Sequence, residues 1–337
     1  MKKGIVEKCA LLPVQSVATA LGLATLSNVW ANPAVGFPGV RYVSMAIAAL
    51  VLLAALLKIL VHFKTFKADY FLPIPTALYA TVSMLTMVLG GFLVEYVRLA
   101  GQIIWFTGVL LHAVHLCIFT YRFVLKGIKI DTVLPTWFVT YMGFMTAVVS
   151  GMPMGFPVIL DIIMIYGYIV YPIILVGMLV RIAKKPLPGV VKPTGAIFLA
   201  PSSLFFISFL NVGIGQVYDN IGNIIAIGVY IIVFITIIRV ATLVPGYIRG
   251  PFSPGMAALT FPSAIALVAT MRMIGYLNSI GLEQIAVWLR HFFGVQIFIT
   301  TAIMAYIGYN FLLQFFGSYR QSKGSAASAD YNTAKLD

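Results

Sequence analysis

Ten apolar stretches follow one another through this chain, at about 10–30, 42–61, 73–94, 99–121, 135–152, 157–180, 193–212, 221–239, 255–276 and 291–316. Each reaches or approaches the roughly 20 residues a helix needs to cross a bilayer. In lipid, backbone N–H and C=O groups must be satisfied internally, so stretches of this continuous kind can only be helices. The expectation is an all-α membrane protein with ten transmembrane helices spanning 10–316, a short N-terminus at 1–9 and a polar, disordered tail at 317–337. Composition agrees: 61% of the 337 residues are hydrophobic and 9% charged, where soluble domains carry roughly 25% charged residues. The first stretch is too long for the apolar region of a cleavable signal peptide.

Charge fixes an expected orientation. With the N-terminus cytoplasmic, 18 of the 22 Lys and Arg residues fall on the inner side together with 5 acids, and 4 basic and 4 acidic residues fall outside. The positive-inside rule then places both termini in the cytoplasm of a plasma (inner) membrane. These basic residues are dispersed among short loops, so topology explains them and no nucleic acid partner is expected. Cys9 and Cys117 are the only cysteines. Two lone thiols imply neither a disulfide framework nor a metal site.

A repeat is written in the prolines. The odd-numbered stretches open near Pro13, Pro73, Pro135, Pro193 and Pro254, with spacings of 60, 62, 58 and 61 residues. Near-constant spacing marks a repeated unit, here one helical hairpin. Proline suits a helix's first turn, where its missing N–H has no intrahelical partner. Five similar hairpins close naturally into a quasi-fivefold ring, five helices lining a central pore and five outside. The odd stretches carry the small residues (Ala18, Ala20, Gly22 and Ala24 in the first) and the even ones are rich in Ile, Leu, Val and Phe. Small residues let helices approach closely or leave a lumen, so the odd set is expected inside. Tight packing without a pore is the alternative.

Seven residues after each proline stand Ala20, Ala80, Met142, Ala200 and Phe261. Four are small or flexible and one is a rigid aromatic. Pro201 and Pro262 come next in the last two repeats, and an interior proline removes a backbone hydrogen bond and kinks the helix. Phe261 is thus a candidate gate held at the axis by Pro262, its alternative being a core phenylalanine. The same register gives an expected pore lining of Val17, Ala20 and Ala24; Ala77, Ala80 and Met84; Val139, Met142 and Thr146; Ile197, Ala200 and Leu204; and Ala258, Phe261 and Ile265.

The segments TFP at 260–262 and VAT at 268–270, APS at 200–202 with Asn211 beyond, and ADYFLP at 68–73 resemble the TehA-type tellurite-resistance/dicarboxylate transporter (TDT) family. That family includes plant guard-cell slow anion channels and fungal malate permeases. The resemblance runs over about 10–315 and implies a homotrimer, each subunit with its own five-helix pore, occluded by a phenylalanine on the ninth helix that corresponds to Phe261. Unlike the plant members, this chain has short tails, so phosphorylation-gated opening is not expected.

No catalytic constellation stands out, and no cofactor or metal is expected. His112 and His115, three apart on the fourth helix, could face one metal, but they sit in the outer set without a carboxylate and read as structural. Asp161 and Glu95 read as interfacial. Arg272 lies about three turns beyond Phe261; an intramembrane charge is a functional candidate by default, here an anion-attracting residue or one that snorkels to the surface. A nearly neutral lining favours fast passage of weakly hydrated anions of the chloride, nitrate or dicarboxylate class. Helix N-termini at the cytoplasmic mouth would add positive potential. A proton-coupled dicarboxylate or oxyanion carrier is the alternative. It would need a titratable residue near the midplane, and positions 10–28, 73–94, 135–152, 193–212 and 255–271 contain no Asp, Glu, Lys, Arg or His.

Overall fold

The computed structural model describes residues 4–187, 189–212 and 220–316. The expected polar tail at 317–337 lies outside the described residues. Ten longer helical segments are labelled in chain order: α1 Gln15–Trp30, α2 Gly39–Val61, α3 Pro73–Leu93, α4 Arg98–Leu125, α5 137–154, α6 Pro157–Lys184, α7 Val191–Val212, α8 Asn220–Ile248, α9 Pro254–Ser279 and α10 Glu283–Phe316. No strand occurs among the described residues.

Eight of these segments, all but α1 and α5, are long and apolar enough to cross a membrane. The two exceptions have local causes. Instead of running from residue 10, α1 begins at Gln15, because Pro13 cannot continue the short helix Ile5–Cys9 before it. In α5 the chain changes from α-helix (Trp137–Tyr141) to a 3-10 turn (Gly143–Met145), back to α (Thr146–Gly151) and again to 3-10 (Met152–Met154). Gly143, Gly151 and Pro153 supply the breaks, being the residue types least favourable to helix. Several even segments overrun their apolar stretches. The helix of α10 continues back through Arg290 and His291 to Glu283, since hydropathy marks only the bilayer-thick part of a helix.

Burial separates the two sets of helices. In the most apolar stretches of α3, α7 and α9, 78% of residues are buried, against 28–39% in α2, α4, α6, α8 and α10. Most of α1 is buried as well. The packing order is cyclic: α1 lies against α3, α3 against α5, α5 against α7, α7 against α9, and α9 against α1. Each even helix leans on its own hairpin partner and on the next odd one, with α10 bridging α9 to α1. Outward faces keep exposed apolar side chains such as Leu50, Ile103, Ile224 and Phe298, as a lipid-facing surface requires.

Glycines set the closest approaches. A Cβ on Gly90 would stand 2.5 Å from the Trp105 backbone nitrogen, and one on Gly101 would stand 2.3 Å from that of Val94. Hairpin α3–α4 therefore packs backbone to backbone, the arrangement that small residues permit between membrane helices.

Candidate functional site

Two cavities lie inside the ring of odd segments, one toward the ends where those helices start and one toward the ends where they finish. The first is small, about 30 Å³, and all five odd segments line it, with Ala18, Met84, Val139, Ala200 and Ala258 among the contributors. The second is about 440 Å³ and opens at the opposite end. Among the described residues only Phe261 and Leu204 line both. Phe261 is 5% exposed and Leu204 1%. At their level a phenyl ring and an isobutyl group bound both cavities.

The backbone around Phe261 is fixed from three sides. The turn before it, Pro254–Leu259, is 3-10, and the α-helix starts at Thr260. The Thr260 hydroxyl donates to the Ala257 carbonyl at 2.7 Å and reaches toward that of Ala18 on α1 at 3.4 Å. Pro262 has no N–H to offer the Ala258 carbonyl. Across the contact, Gly22 of α1 presents no side chain: a Cβ there would stand 2.7 Å from the Phe261 nitrogen and 2.8 Å from Thr260 C. The two backbones touch where the ring projects.

Of the expected lining, Met84, Val139, Thr146, Ile197, Ala200, Leu204, Ala258, Phe261 and Ile265 line one cavity or both, with Pro262 beside them. Val17, Ala20, Ala24, Ala77, Ala80 and Met142 line neither and are buried between helices. On α1 the cavity-facing residues are instead Gln15, Ala18, Thr25 and Asn28, and on α3 Leu78 and Thr81. Counting equal numbers of residues from each proline does not reach equal heights. The starts of α7 and α9 are 3-10, rising roughly 2.0 Å per residue instead of 1.5.

The larger cavity carries the charge. Arg272 lines it, its Nη2 donating to Asn211 Oδ1 at 2.7 Å. Arg41 and Glu95 also line it, locked in a bidentate pair at 2.7 and 2.6 Å. Asn28, Asn32 and Ser150 complete a polar wall that the repeat register missed. Its signal was present in the sequence as asparagines near the far ends of the first and seventh stretches. Asp161 lies elsewhere, beside a separate shallow pocket.

The two histidines are occupied within the protein. His112 is wholly buried, with Nε2 2.9 Å from the Thr140 carbonyl and Nδ1 2.8 Å from Ser83 Oγ. His115 Nδ1 meets the Tyr70 hydroxyl at 2.8 Å. Together they tie α4 to α3, α5 and the short helix Phe63–Tyr70 before α3. No three His, Cys, Asp or Glu side chains gather into a metal cage among the described residues.

Among the described residues the architecture is all-helical, with eight apolar helices long enough to cross a membrane and two internal cavities, as in a multi-pass membrane protein. A family model described as SLAC1, voltage-dependent anion channel, matches residues 12–308. The chain belongs to that family, the TDT family of anion channels and transporters. No curated protein matches it.

Proposed function

We propose that the chain is an anion channel whose ten helical segments all cross the membrane, as five hairpins in quasi-fivefold order around a pore running through the two cavities. Phe261, held on the kink at Pro262, occludes that pore. The observation that carries the reading is that, among the described residues, Phe261 and Leu204 are the only side chains shared by both cavities. The cyclic packing of the odd segments supports the ring. An apolar ring at a constriction blocks ions sterically and by excluding water. On this reading the protein sits in the plasma (inner) membrane with both termini cytoplasmic, assembles as a homotrimer with one pore per subunit, and catalyses no reaction.

A proton-coupled carrier for dicarboxylates or oxyanions is the second reading. Such a carrier needs a titratable group beside its binding site. Among the described residues the only acid in either lining is Glu95, and both its oxygens are bound by Arg41. This favours the channel. Purified protein in planar bilayers tests the choice, with reversal potentials measured under chloride, nitrate and malate gradients. Unitary steps with an anion-selective reversal potential support the channel; slow uptake driven by a pH gradient, without unitary current, supports the carrier.

A further inference from the structure

The larger cavity has a polar wall whose hydrogen-bonding direction can be read from chemistry alone. Three asparagines line it, and each meets a group that can only donate. The Arg41 Nε–H reaches Asn28 Oδ1 at 2.8 Å, the Ala34 backbone N–H reaches Asn32 Oδ1 at 3.0 Å, and Arg272 Nη2 reaches Asn211 Oδ1 at 2.7 Å. Guanidinium and backbone N–H groups have no acceptor lone pair, so the amide oxygen of each asparagine must face its donor. What remains for the lumen is the NH₂ end. Asn211 spends one such hydrogen on the Val148 carbonyl at 3.3 Å. Neither amide nitrogen of Asn28 or Asn32 has a hydrogen-bond partner among the described residues.

Charge points the same way. Arg41 and Glu95 cancel through their bidentate pair. Arg272 is bound to a neutral amide, so among the described lining residues the three ionisable side chains sum to one positive charge. The Thr25 and Ser150 hydroxyls give their protons to the Leu21 and Thr146 carbonyls, leaving only uncharged lone pairs against that field. At about 440 Å³, the cavity is far larger than the roughly 30 Å³ share of one water. An anion can enter with much of its hydration intact.

We infer that this cavity is an anion-binding vestibule, with Arg272 and the outward amides of Asn28 and Asn32 as its donors, and that it takes one monovalent anion. The inference deepens the channel reading and rests on it for the vestibule's place in conduction. One negative charge neutralises the site. A dianion such as a dicarboxylate would leave a net negative charge beside the apolar Val88, Ile265 and Val268 of the same wall.

The test is a titration of sodium nitrate against sodium gluconate at constant ionic strength, following the thermal midpoint of the full-length detergent-purified protein. The parent should show a saturable rise. Arg272→Gln should raise the half-saturating nitrate concentration roughly five- to tenfold, and Glu95→Gln, which takes the lining from +1 to +2, should lower it by a similar factor. A folding role would weaken binding in both variants. If Arg272→Gln does not fold, the direction of the Glu95→Gln shift decides. No saturable nitrate effect, shifts of the same sign in both variants, or sulfate half-saturating below nitrate would each overturn the inference. Nitrate binding with these opposite shifts, in a protein that passes no current even as Phe261→Ala, would leave the vestibule standing and remove the channel reading.

Discussion

Gly22 packs against the backbone that carries Phe261. A Cβ at this position would lie 2.7 Å from the Phe261 nitrogen, 2.8 Å from Thr260 C and 2.8 Å from Met304 Cε. The methionine end can swing aside, but the two backbone atoms cannot. Restoring ordinary contact needs a shift from 2.7 to about 3.4 Å, so α1 and α9 must part by about 0.7 Å at the level of the ring. Overpacking of this sort costs about 1–3 kcal/mol. Alanine also gains up to about 1 kcal/mol over glycine in a helix, which would mask part of that cost. The control is therefore Gly275→Ala on α9, where a Cβ meets nothing within 4 Å. It carries the same propensity gain, so the difference between the variants isolates the packing term. Gly22→Ala should unfold about 1–3 kcal/mol more readily than Gly275→Ala, in reversible denaturation from mixed micelles. It should also alter basal anion current in bilayers, because the Phe261 backbone is what moves. Equal stability and equal current in the two variants would refute the reasoning.

Other expectations follow from single sites. Lys58 is 4% exposed, and its Nζ donates to the Leu12 carbonyl at 2.7 Å and to Asp69 at 2.6 Å. Lys58→Met should cost roughly 2–3 kcal/mol in the same denaturation assay, below the range for a fully dry pair because Asp69 retains about a third of its exposure. Asp69→Asn, which keeps an acceptor for Lys58, should cost less. His112→Leu should destabilise by about 1–3 kcal/mol, chiefly through the Thr140 carbonyl it leaves without its buried donor, since the Ser83 hydroxyl keeps the Ala80 carbonyl. Its anion selectivity should be unchanged, since His112 lines neither cavity; a shifted reversal potential would place the histidines in the pathway.

The helical, membrane-spanning character was legible because hydrophobicity over 20 residues is a local property. So was the split between buried and exposed helices. A helix surrounded by helices needs small residues, as at Gly22 in α1 and Ala200 in α7, and a helix facing lipid does not. Which face of each inner helix meets the lumen was less legible. The 3-10 turns before Leu199 and Thr260, and the broken course of α5 around Gly143, change rise and rotation per residue. Ala20, Ala80 and Met142 therefore fall outside the linings while Ala200 and Phe261 fall within them. The charged wall of the larger cavity was hidden for another reason. Arg41 and Glu95 stand 54 positions apart, and Arg272 meets Asn211 across 61. Pairings between hairpins depend on how the ring closes, and no local pattern encodes that.

On the channel reading a single ring, that of Phe261, shuts the path between the two cavities. Anion current from Phe261→Ala and from the parent, recorded in planar bilayers and normalised to folded protein, tests it most directly. Current should rise several-fold or more for alanine and less for Phe261→Leu, with little loss of folded protein. A variant that carries no more current than the parent, together with the loss of about 3–5 kcal/mol expected of a truncated core phenylalanine, would show that Phe261 packs the protein and closes nothing.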